Sequence, residues 1–241
     1  MKNVYSRSFE SAPPPQNIDY SKGFTLAEVL ITLGIIGIVA AMTMPTLIQN
    51  YQKKEATIRL EQAYSIISQA VKMSELANGP IEYWEINKTN NSGATTTTKN
   101  FVEYYIKPYI KNINSIQMKT SGMPYEYYYY TRDGKLVTSG GHTHYSLALV
   151  NGVYLHFNAN YGTSNKIDIR IDTNGEKRPN IIGRDTFFAT IYPKYELYGT
   201  GMTRTQLFNL CKKDDYNSQK NCSGLIQADG WEIKKDYPYR I

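Results

Sequence analysis

From Phe24 to Ile48 the chain is almost unbroken apolar sequence, and a single residue in it, Glu28, carries a formal charge. At a rise of about 1.5 Å per residue, a helix of that length crosses a bilayer. Three ordinary readings meet this segment. A secretory signal peptide places small residues after the apolar run and is discarded by cleavage there. Ala40-Ala41 could serve, but an acid near the start of such a run is out of character. A plain membrane anchor has no use for Glu28, and a buried core helix of this length would need polar relief that is missing. A carboxylate inside a membrane span costs about 2.5–3.5 kcal/mol on insertion scales, so it usually has a partner and a purpose. Glu28 therefore says that the segment does more than anchor.

Residues 1–20 are polar, without apolar periodicity, and contain Pro13-Pro14-Pro15; such a stretch cannot bury enough surface to fold. Ser21-Lys22-Gly23 then leads into Phe24-Thr25-Leu26-Ala27-Glu28-Val29-Leu30-Ile31-Thr32-Leu33-Gly34-Ile35-Ile36-Gly37-Ile38-Val39-Ala40-Ala41. This run resembles the prepilin signal of the type IV pilin and type II secretion pseudopilin family. The matching features are Lys22-Gly23 before a cut, Phe24 as the new first residue, Glu28 as the fifth after the cut, and the apolar tail. The resemblance covers Lys22 to about Leu76, and the leader it implies, residues 1–23, is longer than many in the family.

The resemblance implies a fate for each of these residues. A prepilin peptidase would cut between Gly23 and Phe24 on the cytoplasmic side, and the Phe24 amine would be methylated. The amine stays cationic, so Glu28 of an incoming subunit could neutralise Phe24 of its neighbour during assembly; pairing two buried charges offsets desolvation that neither could bear alone. The implied partners are other pilin or pseudopilin subunits, the prepilin peptidase/methyltransferase and an inner-membrane assembly platform. The implied location is the inner membrane, single-pass with an extracytoplasmic C-terminal head, and then a periplasmic pseudopilus or a surface pilus.

Beyond the span, Pro45 removes a helical hydrogen bond and is expected to kink the helix. Past Ile48 the pattern is amphipathic: Ala56, Leu60, Ala63, Ile67 and Ala70 recur at spacings of four and three, with charged residues off the stripe. Asn78-Gly79-Pro80 stops it. The expected organisation is a leader at 1–23, a pilin helix at 24–78 whose transmembrane part is about 24–48, and a globular head at 79–241. Within the head, Asn90–Asn100 reads as a polar loop and Phe101–Ile110 as a short helix. Period-two patterns follow at Glu126–Thr131, Lys135–Thr138, Tyr145–Val150, Val153–Phe157, Ile167–Asp172 and Thr186–Tyr192. The fold class is thus α+β and pilin-like: a long N-terminal helix packed on an antiparallel sheet.

Candidate sites in the head are few. Asn151-Gly152 predicts a two-residue type I′ turn that pairs Leu147 with His156. That pairing would put His156 on the opposite face from His142 and His144, and so against a zinc site. Asp172-Thr173-Asn174-Gly175 misses the EF-hand spacing, but Asp172, Asn174 and Asp185 bring oxygens close in sequence, as calcium sites do, and some pseudopilin heads bind calcium. Beyond that, no cofactor is expected. The stretch from Asp172 to Phe187, the cysteine pair, and Ala228-Asp229-Gly230-Trp231-Glu232-Ile233 are similar to heads of prepilin-like type II secretion proteins. Cys211 and Cys222 have the spacing of a small disulfide loop, which in an exported head is favoured over a pair of reduced thiols.

The tyrosines, 22 in all, could form an adhesive surface, but in strands such as Tyr127–Tyr130 alternate rings are expected to pack inward. The net charge of +6 is spread along the chain and is weak support for nucleic-acid binding. No nucleophile elbow, phosphate loop or CxxC is present, so the chain does not read as an enzyme. A rival of a different class is an uncleaved, membrane-tethered extracytoplasmic domain with ligand-binding or enzymatic activity.

Overall fold

The computed structural model describes residues 23–85, 94–119, 128–137, 144–159, 166–175, 177–191 and 193–239. The chain divides into two compact units, Met1–Thr46 and Leu47–Ile241. Helix α1 (Leu26–Asn78) begins in the first and ends in the second, with Pro45 inside it. The described part of the first unit is helix whose apolar side chains are exposed, Leu30, Ile31, Leu33, Ile35, Ile36 and Ile38 among them. The helix is long and apolar enough to cross a membrane. Lipid is the solvent in which an uncovered surface of this kind is stable.

The second unit is an α+β head. A six-stranded antiparallel sheet runs in the order β1-β4-β5-β6-β7-β8. Its strands are β1 (Ile113–Lys119), β4 (His144–Leu149), β5 (Tyr154–Ala159), β6 (Ile167–Asp172), β7 (Thr186–Ile191) and β8 (Glu196–Leu197). A small separate hairpin of β2 (Tyr129–Tyr130) and β3 (Leu136–Val137) packs on the larger sheet through Tyr129 against Phe188. The expected alternation puts Leu147, Leu155, Phe157, Ile167, Ile169, Ile171, Phe187 and Ile191 on one face. These residues are buried against Leu60, Ala63, Ile67, Ala70 and Val71, the predicted stripe of α1. Each such large side chain removed from water contributes about 1.5–3 kcal/mol.

The C-terminal part was not foreseen from sequence: α3 (Arg204–Cys211), α4 (Tyr216–Gln219) and α5 (Cys222–Ala228) pack against the sheet. Thr203 caps α3 with a Thr-x-x-Gln box, a start signal present in the sequence. Cys211 and Cys222 form a disulfide with Cα atoms 4.8 Å apart, both cysteines buried. Past α5 the chain turns through Gly230 and Trp231, both in the left-handed region, and sets the Trp231 ring 5.4 Å from Tyr64 of α1. Arg204 binds Asp229 and Asp236 at 2.6 and 2.9 Å, and the Tyr237 hydroxyl donates to Gly183 O at 2.6 Å. This lacing explains why Asp229-Gly230-Trp231 occurs where it does.

Two local expectations are corrected. Residues from Ala94 onward in the predicted polar loop form α2 (Ala94–Phe101), which continues through a wider π turn (Val102–Ile106) and a 3-10 turn (Lys107–Tyr109). The β4–β5 turn has three residues, not two: Leu149 N–H donates to Val153 O at 2.8 Å, and Gly152, at φ +83°, closes Val150-Asn151-Gly152. A type I turn ended by a left-handed glycine is the usual three-residue solution, and Asn-Gly serves it as well as type I′.

Candidate functional site

At the N-terminal end of the described chain, Gly23 and Phe24 precede the first helical turn and are exposed, Phe24 by 89%. The scissile position that the motif predicts is thus exposed and outside the helix. Thr25 and Glu28 form a capping box. Glu28 N–H donates to Thr25 Oγ1 at 3.2 Å, while Thr25 N–H and Oγ1–H both donate to Glu28 Oε2 at 2.8 Å. Sequence reasoning gave Glu28 an assembly role and missed this local one, although Thr-x-x-Glu before an apolar run is its signature. The box satisfies amides that the first helical turn would leave bare in an apolar medium.

In the head, the turn expected to hold oxygens brings Asp172, Asn174 and Asp185 together, but on each other. Asp172 Oδ1 accepts from the N–H groups of Asn174 and Gly175 at 3.1 and 2.9 Å. Asp185 accepts from Ile181 N–H and, at 3.3 Å, from the Asn174 amide. Asn174 therefore turns its nitrogen, not its oxygen, toward Asp185. Burial pushes the Asp172 carboxyl up to about 7, with Arg170 opposing and Asp185 adding to the rise. Burial likewise lifts Asp185 to about 6, against the pull of its hydrogen bond from Ile181.

The three-residue turn shifts the β4–β5 pairing by one, so His156 lies opposite Ser146 and shares a face with His144. A slip of one residue exchanges faces, and the expected separation of these two histidines is overturned: their ring centroids are 6.4 Å apart. His142 lies outside the described residues. His156 Nδ1 is 2.7 Å from Ser146 Oγ. Among the described residues no group of three or more His, Cys, Asp or Glu is arranged to hold a metal ion. Tyrosines alternate as strand packing requires: Tyr129 is buried and carries Arg170 over its ring at 4.6 Å, while Tyr128 is exposed. Tyr127 lies outside the described residues.

An exposed Gly-Phe junction, a Glu four residues beyond the Phe, a membrane-length apolar helix and an antiparallel head on the helix's later turns define a pilin-like subunit bearing a prepilin signal. The family model of the prokaryotic N-terminal methylation motif matches residues 19–44. The remainder, at 46–206 and 194–241, matches a family described as of unknown function (DUF6613), and the chain belongs to that family. Prepilin peptidase-dependent protein D of Escherichia coli (strain K12) is 31% identical over 80 residues, 33% of this chain and 54% of that protein. The chain thus spans about half the length of this curated relative. No solved structure matches it.

Proposed function

We propose that this protein is a structural subunit of a type II secretion pseudopilus or a type IV pilus. It is made as an inner-membrane precursor, cut between Gly23 and Phe24 by a prepilin peptidase, methylated on the Phe24 amine, and drawn from the membrane into a filament through residues 24–48. Its partners are other pilin or pseudopilin subunits, the peptidase/methyltransferase and the assembly platform. Chemistry is done on this chain and not by it. Glu28 supplies the assembly charge: a carboxylate in apolar surroundings is strongly unfavourable unless a cation meets it, and the methylated amine of a neighbouring Phe24 is such a cation. Pro45 loosens the helix where it leaves the bilayer.

The observation that carries this reading is the Gly23-Phe24 junction, exposed just ahead of the helix, with Glu28 in the helix's first turn. The test is the intact mass of the protein purified from membranes, with sequencing of its N-terminal peptide. A chain beginning at methylated Phe24 is expected. A chain that still carries residues upstream of Phe24, in cells with an active peptidase, overturns the proposal.

A further inference from the structure

We propose that the head carries a binding site for the phosphate of an anionic phospholipid headgroup, formed by Arg59 of α1 and by Lys177, Arg178 and Arg184 of the β6–β7 loop. These four cations line one cavity of about 250 Å³, together with Gln52 and Ala56. Two carboxylates also line it, Glu55 and Asp185, and both have protein partners. Glu55 holds Arg59 at 2.7 Å. Asp185 is buried, and its oxygens accept from Ile181 N–H and the Asn174 amide. Arg59 is also fixed from its other side by a 2.9 Å hydrogen bond to Thr173 O. The three loop cations are different. Among the described residues, no ion pair engages Lys177, Arg178 or Arg184. Lys177 and Arg178 are exposed, and Glu176 lies outside the described residues. Arg184 also acts on Asp185, whose carboxyl it holds down against burial. Among the described residues the cavity is therefore rimmed by cations outside any ion pair, around one preset guanidinium, a geometry that suits a phosphate.

Position decides the source of that phosphate. Gln52 lies four residues past Ile48, where the apolar run ends, and both belong to α1. Four helical residues rise about 6 Å, comparable to a headgroup layer of roughly 5–7 Å on each side of the hydrocarbon. Lys53 and Lys54 follow at once and add to the attraction for an anionic surface. A volume below the usual range of about 300–1,000 Å³ for small-molecule sites matches a headgroup better than a larger ligand. The inference rests on residues 24–48 residing in a bilayer, and not on cleavage or filament assembly.

Native mass spectrometry of the full chain in detergent, titrated with phosphatidylglycerol or phosphatidylcholine, tests this. One saturable phosphatidylglycerol per chain is expected, with no saturable phosphatidylcholine. Removing the three loop cations together (K177Q/R178Q/R184Q) should weaken the lipid about 100-fold, at about fivefold per charge, while R178K/R184K should stay within a few fold of wild type. If the triple variant fails to melt cooperatively, the exposed single change R178Q must still cost about fivefold. Equal binding of the two lipids, or undiminished phosphatidylglycerol binding by the folded triple variant or by R178Q, overturns the proposal. So does inorganic phosphate that occupies the site as tightly as the lipid, since the site would then be one for free phosphate. Uncleaved precursor should bind as well as mature protein, so a failure of prepilin processing would leave this result unchanged.

Discussion

Replacing Asp172 by Asn should stabilise the head, and by more at high pH than at low. Asp172 is 2% exposed, and the Asn amide oxygen can keep the two backbone hydrogen bonds that Oδ1 now accepts from Asn174 and Gly175. The substitution thus removes an ionisable group with little change of shape. The folded chain holds the Asp172 proton up to about 7, against 3.8 ordinarily. Because the folded-state value is raised, the carboxyl's contribution to stability is fully present below 3.8 and is lost as pH rises through about 7. At about 1.36 kcal/mol per pH unit, the easier ionisation of this carboxyl in the unfolded chain lowers stability by about 2 kcal/mol at pH 5 and about 4 kcal/mol at pH 8. The gap between variant and wild type should therefore widen by about 2–3 kcal/mol across that window, or about 5–10 °C in melting temperature for a domain of this size.

The assay is thermal unfolding of the full chain in detergent, followed by circular dichroism at pH 5, 6, 7 and 8, for wild type and D172N. His144 and His156 lie on the same sheet face and are present in both proteins, so the comparison removes what they contribute to both curves alike. Asp185, at about 6, would be relieved of one like charge in the variant, which adds to the effect in the same direction. A gap that stays constant from pH 5 to pH 8, or that narrows, would refute the reasoning. It would mean that Asp172 ionises in the folded state as easily as in the unfolded one.

Three other outcomes follow from particular contacts. Glu28→Ala should leave cleavage at Gly23–Phe24 intact and abolish incorporation into filaments, read by shearing and immunoblotting; normal incorporation would remove the charge-pair account. Cys211→Ser/Cys222→Ser should lower head stability by about 3 kcal/mol, from the loop-closure entropy of a bridge spanning 11 positions, measured as a drop in denaturation midpoint under non-reducing conditions. Millimolar calcium at pH 8 should shift the melting temperature by no more than about 2 °C relative to chelator. The oxygens of Asp172 and Asp185 already accept from Asn174, Gly175 and Ile181, and a rise well beyond that would show that the cation displaces these donors.

The helix, the sheet class and the disulfide were legible because each leaves a local periodic or spacing signal. Leu60, Ala63, Ile67 and Ala70 repeat with the helical period, and Ile167, Ile169 and Ile171 with the strand period, so the two faces that bury each other could be read separately. The α3–α5 region was missed for a physical reason. Its helices are short, and the residues that hold them, Tyr216 against Phe188 and Ser223 Oγ bonded to Phe188 N–H at 2.8 Å, are satisfied by a strand far away in sequence. A helix of four to eight residues gains little from its own hydrogen bonds and exists through tertiary packing. No pattern within it needs to announce that.

The histidines teach a sharper lesson about register. Asn151-Gly152 correctly marked a turn, but the same dipeptide closes two-residue and three-residue loops, and the choice between them lies in how the loop meets the rest of the head. Here the Asn151 amide donates to Gln62 of α1 at 3.2 Å. The Gly152 carbonyl lies so near Gly175 that a Cβ there would come within 2.7 Å of it. The β4–β5 loop thus touches both the helix and the β6–β7 loop. Arg59 of the same helix donates to Thr173 O at 2.9 Å and so ties the helix to the β6–β7 loop. An error of one residue in a turn therefore conceals from a sequence reading which histidines share a face. The spacing of the histidines does not encode it. It depends on a loop whose Asn151 side chain bonds the Gln62 side chain of a helix 89 positions earlier in the chain.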